Sequence, residues 1–216
     1  MEHEKCKKMR IYILMATYSH LYSSGGTIAK ATYEIFRNEG YEVKVVSTTD
    51  KDTPLCSGEV TYLPIGWNIR VGSILTRMGL TEDYLDRWVN FGLEFFKKEN
   101  LTQEDLLIAT TVGEIGTIKL ASILKKRYNC KYIAHFHDPI KHAKMNGYKY
   151  DWKPHASREK TERDYLINVD YVVTCCDTYL EALLKKYPFL CGRAVNAHFG
   201  WIESVKKSDR KSENIL

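Results

Sequence analysis

The sequence has no G-x-G-x-x-G run, no C-x-x-C pair, no Pro/Gly/Ser-rich linker and no apolar stretch near the roughly 20 residues of a membrane span. Each absence removes a class. Without the glycine fingerprint, a dinucleotide-binding oxidoreductase loses its main support. Without C-x-x-C, structural zinc and thioredoxin-like redox chemistry lose theirs. The first apolar run, "IYILMA", is too short for a signal h-region, and "MEHEKCKK" before it is polar. A cytoplasmic chain is therefore expected. Its six cysteines (Cys6, Cys56, Cys130, Cys175, Cys176 and Cys191) read as reduced thiols. The net charge of +5 permits an anionic ligand or a peripheral place at an anionic membrane, and demands neither. No basic stretch is dense enough for nucleic acid, so none is expected as a partner.

What is present is an alternation of short apolar runs and longer amphipathic segments. Strands are expected at 10–16, 41–48, 59–64, 105–110, 131–137, 170–176 and 193–199. Helices are expected at 26–40, 113–128, 155–168 and 178–187, with two more between 69 and 99 broken near Gly79. The first helix shows an apolar stripe of Ile28, Ala31, Ile35 and Phe36, with Gly40 as its C-cap. Thr81, followed by Glu82 and Asp83, reads as an N-cap. Trp88, Phe91, Phe95 and Phe96 fall at helical spacing and read as core. This grammar predicts one α/β domain over 9–204: a doubly wound, mostly parallel, Rossmann-like sheet of about seven strands with helices on both faces. Residues 1–8 and 205–216 read as polar tails.

In an open α/β sheet, ligands bind beyond the carboxyl ends of the strands, near the switch in strand order. That rule selects the residues following each strand. "HLYSSGGTIAK" brings Gly25 and Gly26 to a helix start, where amide groups and the helix dipole favour an anion. The alternative is a tight turn capped by Ser23 or Ser24. "TTVGEIGT" places Glu114 where a strand turns into a helix, either for a ligand or to complement the dipole. "HFHDPIKH" packs His135, His137, Asp138 and His142 within eight residues. The spacing departs from H-x-H-x-D-H, so no metal is expected. His135 belongs inside the strand, whereas His137 and Asp138 reach its end, where an imidazole beside a carboxylate can move a proton. Tyr18, Tyr22, Phe136 and Phe199 are expected to leave that edge partly apolar.

The string "MRIYILMATYSHLYSSGGTIAKATYEIFRNEGYEVKVVST" resembles the opening of family 4-type glycosyltransferases of the GT-B fold. Those begin with a strand, a loop ending in Gly-Gly, a helix and a second strand; Tyr41 stands here where they usually have His. "KYIAHFHDP", "TERDYLINVDYVVTCCDTYLEALLKKY" and "RAVNAHFGWIE" are similar to later segments of the same family, in the same order. The resemblance implies the N-terminal, acceptor-side domain of an enzyme that moves a sugar from a nucleotide-sugar donor to a hydroxyl acceptor. It implies donor phosphate contact at Gly25 and Gly26, catalysis at His137 and Asp138, and acceptor or sugar contact at Tyr18 and Glu114. The nucleotide sugar is a co-substrate, with no metal cofactor. The acceptor is a glycan, a lipid or lipid-linked compound, or another hydroxyl acceptor. The partner is a second GT-B domain in cis or in trans, since the sequence ends where that domain would begin. A non-catalytic sugar- or nucleotide-binding module and a metal-dependent hydrolase built on the His cluster are the other classes.

Overall fold

The computed structural model describes residues 9–18, 24–48, 60–66, 68–140 and 155–197. The first of these segments contributes β1 (Arg10–Leu14), and the second α1 (Ser24–Asn38) and β2 (Glu42–Thr48). β3 (Val60–Leu63) precedes α2 (Ile69–Met78) and α3 (Asp86–Glu99). The remainder alternates strictly: β4 (Leu106–Val112), α4 (Gly116–Tyr128), β5 (Lys131–Asp138), α5 (His155–Leu166), β6 (Tyr171–Thr174), α6 (Asp177–Lys186) and β7 (Ala194–Asn196). All seven strands are parallel, in the order β3-β2-β1-β4-β5-β6-β7. The order reverses between β1 and β4, which is the switch point of a Rossmann-like sheet.

Alternate residues of β1 build the two faces. Tyr12 and Leu14 enter the larger core with Trp88, Phe96, Ile118, Leu124, Leu166 and Leu183, so α3, α4, α5 and α6 share one face. Ile11 and Ile13 face the other way and pack with Tyr33 and Phe36 of α1. Of the described helices, α1 alone packs in the clusters of that second face. One row across it shows how far the cover reaches. Val45, Ile13 and Ile108 are 0%, 1% and 5% exposed, Ile133 is half-buried, and Tyr171 is 52% exposed.

Several local expectations need correction. Of the expected α1 stripe, Ala31 is buried and Ile28 and Phe36 are half-buried, but Ile35 is 60% exposed, and Ala29 and Tyr33 take the other buried places. Phe91, expected in the core, is 42% exposed, whereas Trp88 and Phe96 are fully covered. Thr81 does not cap a helix. α3 starts at Asp86, Thr81 shares a hydroxyl contact of 3.0 Å with Thr76, and Asp83 supplies the order in this turn. Its buried carboxylate accepts from the amides of Leu85 (2.8 Å) and Ile115 (2.7 Å), tying the start of α3 to the start of α4. Gly40 performs as read. With φ 82° it follows α1, its amide donates to Arg37 (2.8 Å), and Tyr41 donates to Phe36 (3.0 Å), a Schellman closure.

The amino end of the sheet is tied by charge. Arg10 donates to both oxygens of Asp105 (2.9 and 2.6 Å) and to the carbonyls of Glu99 and Asn100 (3.0 Å each), holding the end of α3 against β1. Burial pushes the Asp105 carboxyl upward, but the Arg10 fork and the Thr102 donors outweigh it and hold it below the ordinary carboxylate range. Among the described residues Cys130, Cys175, Cys176 and Cys191 are free thiols, and burial pushes that of Cys130 up to about 11.

Candidate functional site

Because every strand runs the same way, all seven carboxyl ends lie on one edge of the sheet, and the helices that follow β1, β4 and β6 begin there. At β1, pairing continues past Leu14. The Met15 amide donates to Val46 (3.1 Å), Thr48 donates to the Ala16 carbonyl from both its amide (3.3 Å) and its hydroxyl, and the Tyr18 amide donates to the Ser47 hydroxyl (3.0 Å). The Ser47 carbonyl in turn accepts from the indole of Trp88 (3.2 Å). Tyr18 is therefore fixed at the mouth of the sheet and half-buried, next to Ile13 and Tyr33. Ser47 is the residue that sequence reasoning missed here. A small hydroxyl at the end of a strand is its only signal.

α1 begins at Ser24, two residues earlier than expected, so Gly25 and Gly26 lie inside its first turn rather than ahead of it. Amide groups of a first turn have no acceptor within their own helix. Gly26 is buried. Tyr22 and Phe199, expected beside this edge, lie outside the described residues, as does His142.

β4 ends in a tight hydrogen-bonded turn. The Thr111 hydroxyl donates to the Glu114 carbonyl and accepts from the Gly113 amide (3.0 Å), and Gly113 takes φ 110°. The Glu114 side chain is 3% exposed and folds back, its carboxylate accepting from the Val112 amide at 3.2 and 3.3 Å. It thus braces the turn that leads into α4, at the edge where a ligand contact was expected.

β5 carries the expected pair. Thr111 of β4 pairs with Phe136, but Val112 pairs with Asp138, so His137 is an extra residue, a β-bulge at the strand's end. Bulges of this kind re-aim side chains next to sites. The His135 and His137 rings meet edge to face with centroids 4.6 Å apart. Burial lowers both imidazoles to about 4, His137 adding charge repulsion at His135, so both are neutral at pH 7. The His137 carbonyl accepts from the Cys175 thiol (3.1 Å), linking β5 to the turn after β6. Asp138 is exposed. Phe136 does not open toward the edge as expected. It is fully buried and packs edge to face on Tyr179 at 5.7 Å, because the alternation that turns His137 to one face turns Phe136 into the core. At the end of β7, Asn196 donates to Asp177 at the head of α6 (2.7 Å), another link that the sequence did not announce. Among the described residues no group of three His, Cys, Asp or Glu side chains is placed to hold a metal ion.

No family model matches the sequence, and no curated protein matches it. Solved structures do. The N-terminal domain of a Candida albicans trehalose-6-phosphate phosphatase matches with a TM-score of 0.52 at 10% identity, over 85% of this chain and 43% of that one. An alpha-glucosyltransferase solved with UDP and a DNA 13-mer matches with a TM-score of 0.46 at 16% identity, over 88% of this chain and 42% of that one. The Phytolacca americana UGT2, complexed with UDP-2fluoro-glucose and pterostilbene, matches with a TM-score of 0.47 at 8% identity, over 93% and 55%. The chain thus spans well under two thirds of each. At 10% identity, the likeness to the trehalose-6-phosphate phosphatase domain concerns the Rossmann-like α/β fold alone.

Proposed function

We propose that the chain is the acceptor-side half of a GT-B glycosyltransferase of the family 4 type, working in the cytoplasm on a nucleotide-sugar donor and a glycan or lipid-linked acceptor. The observation that carries this reading is the company kept at the switch point. A helix opened by Gly25 and Gly26 follows β1, and a bulge presenting His137 and Asp138 ends β5, on the same edge. The sequence resemblance supports the same assignment segment by segment. In this reading the glycine turn lets the donor diphosphate approach the amide end of α1. The bond between the anomeric carbon and the phosphate oxygen breaks, and a bond to the acceptor oxygen forms. The acceptor proton passes to a basic group, for which neutral His137 and exposed Asp138 are the available residues. Tyr18 borders the acceptor. Glu114 serves by holding its turn. No metal and no nucleic acid enters the scheme, and the leaving diphosphate is balanced by helix amides and by donors from a second domain, in cis or in trans.

The test is transfer from a panel of nucleotide sugars, assayed with the chain and its second domain together. His137→Ala and Asp138→Asn are expected to lower kcat about 10²-fold each with the fold intact. Gly25→Val is expected to weaken donor binding. Gly26 is buried, so it is the poorer choice. Equal turnover in wild type and His137→Ala would remove the catalytic assignment. Donor binding without turnover in any combination would instead favour a non-catalytic sugar- or nucleotide-binding module.

A further inference from the structure

Between α5 and the end of α6 lies a cleft that the proposed reaction does not use. It holds about 610 Å³, within the roughly 300–1,000 Å³ of small-ligand sites. Lys160, Arg163 and Asp164 of α5 form one wall, and Lys186 with the turn Tyr187-Pro188-Phe189 forms the other. α6 leaves the carboxyl edge of the sheet after β6 and runs back before β7, so its last residues lie toward the amino edge. The cleft therefore stands apart from Gly25, Gly26, His137 and Asp138.

Its floor is held by a buried acid. The Glu162 carboxylate, 2% exposed, accepts from the Lys186 ammonium and from the Tyr187 hydroxyl, 2.6 Å each. These bonds tie α5 to the end of α6. The carbonyls along the second wall are engaged as well. Tyr187 accepts from the Leu190 amide (3.0 Å), Pro188 from the Cys191 amide (3.1 Å) and Phe189 from the Arg193 guanidinium (2.6 Å). That wall presents rings more than acceptors. Pro188 is exposed, and the half-buried Phe189 ring lies 5.6 Å from the Tyr187 ring, centroid to centroid.

The α5 wall supplies the donors. Lys160 and Arg163 stand three residues apart, hence on one helix face, and both are exposed. Among the described residues neither side chain is held by an ion pair or a hydrogen bond. Asp164 offsets one of the two charges and Glu162 matches Lys186, so one positive charge is left over in the cleft. A guanidinium and an ammonium facing an aromatic ring suit an anion carried on a flat ring. The guanidinium forks onto two phosphate oxygens, and the ring stacks.

We infer that this cleft binds a small phosphorylated compound with an aromatic or heteroaromatic ring, its phosphate on Arg163 and Lys160 and its ring on Phe189. This does not depend on any transferase activity.

Isothermal titration of the 216-residue chain with AMP, adenosine and inorganic phosphate tests it without sugar donor or acceptor. AMP is expected to saturate one site and to bind about tenfold or more tighter than adenosine or phosphate alone. Arg163→Glu should weaken AMP about tenfold or more, with melting unchanged because that side chain faces water. Phe189→Leu keeps an apolar side chain but loses the flat face, so it should weaken AMP about fivefold and leave phosphate binding as it was. Gly25→Val, at the other edge of the sheet, should bind AMP like wild type. The inference is overturned by the absence of saturable AMP binding, by equal affinity in Arg163→Glu, or by phosphate binding as tightly as AMP, which would mark an adventitious ion only. Loss of AMP in Gly25→Val but not in Arg163→Glu would also overturn it, by placing the probe at the start of α1.

Discussion

Protonating either imidazole of the His135–His137 pair puts a charge into a buried site. Both groups titrate near 4 in the folded chain and near 6.5 when unfolded, so between those values the unfolded state holds more protons. Their neutral-state contribution is complete above pH 6.5 and drains away as pH falls toward 4. Each imidazole should cost the folded state up to about tenfold per pH unit in that window. Urea unfolding at pH 7.5, 6, 5 and 4.5 is expected to show this fall, and His135→Phe with His137→Phe should flatten it. An undiminished slope in the double variant would mean that other groups carry the acid sensitivity. At this scale the sequence located His137 and Asp138 correctly at a strand's end, because Asp-Pro stops a ladder. It could not reveal the bulge, which depends on the register of β4, nor the inward turn of Phe136.

Helices show the same division between what is local and what is not. Gly40 and Gly79 were legible as stops because a left-handed residue at a helix end has a chemical signature. The tilt of α1 was not, since Ile35 and Tyr33 differ only in which neighbour happens to cover them. Nor did the pattern show that Asp83 from one turn would hold the Ile115 amide just ahead of α4. The entry of α4 is also tightly packed. An added Cβ on Gly116 would stand 2.5 Å from the Cβ of Leu85, an atom fixed to its backbone in the core. Gly116→Ala is therefore expected to destabilise the fold by about 1–3 kcal/mol through overpacking, despite alanine's better helix propensity. Urea midpoints compared at constant m-value read this. A gain in stability would mean that the α3–α4 contact yields more than its burial suggests.

For the molecule as a whole, the seven-stranded parallel sheet and the edge that carries the site were legible, because strand–helix alternation leaves few topologies. The uneven cover was not: helices were expected on both faces, and the described ones lie mainly on one. The proposed division of labour across two domains makes a quantitative demand. Most nucleotide contacts would belong to the other domain, so the chain alone is expected to bind nucleotide sugars weakly, in the millimolar range or beyond, and to turn over slowly. Isothermal titration of the chain alone, and then with the second domain, measures this. Micromolar affinity with fast turnover by a pure monomer would mean a complete donor pocket on this domain.

Arg10, at the amino end of the inner strand β1, meets Asp105 across 95 positions of sequence, and β1 pairs with β4 over the same separation. On a ribosome making about 5–20 residues each second, β1 must therefore wait seconds for its second neighbour. During that wait it can pair only with β2, and through it with β3, leaving one edge of its ladder open. The nascent chain's period of greatest exposure to wrong partners is thus written into the strand order, and it closes when β4 arrives.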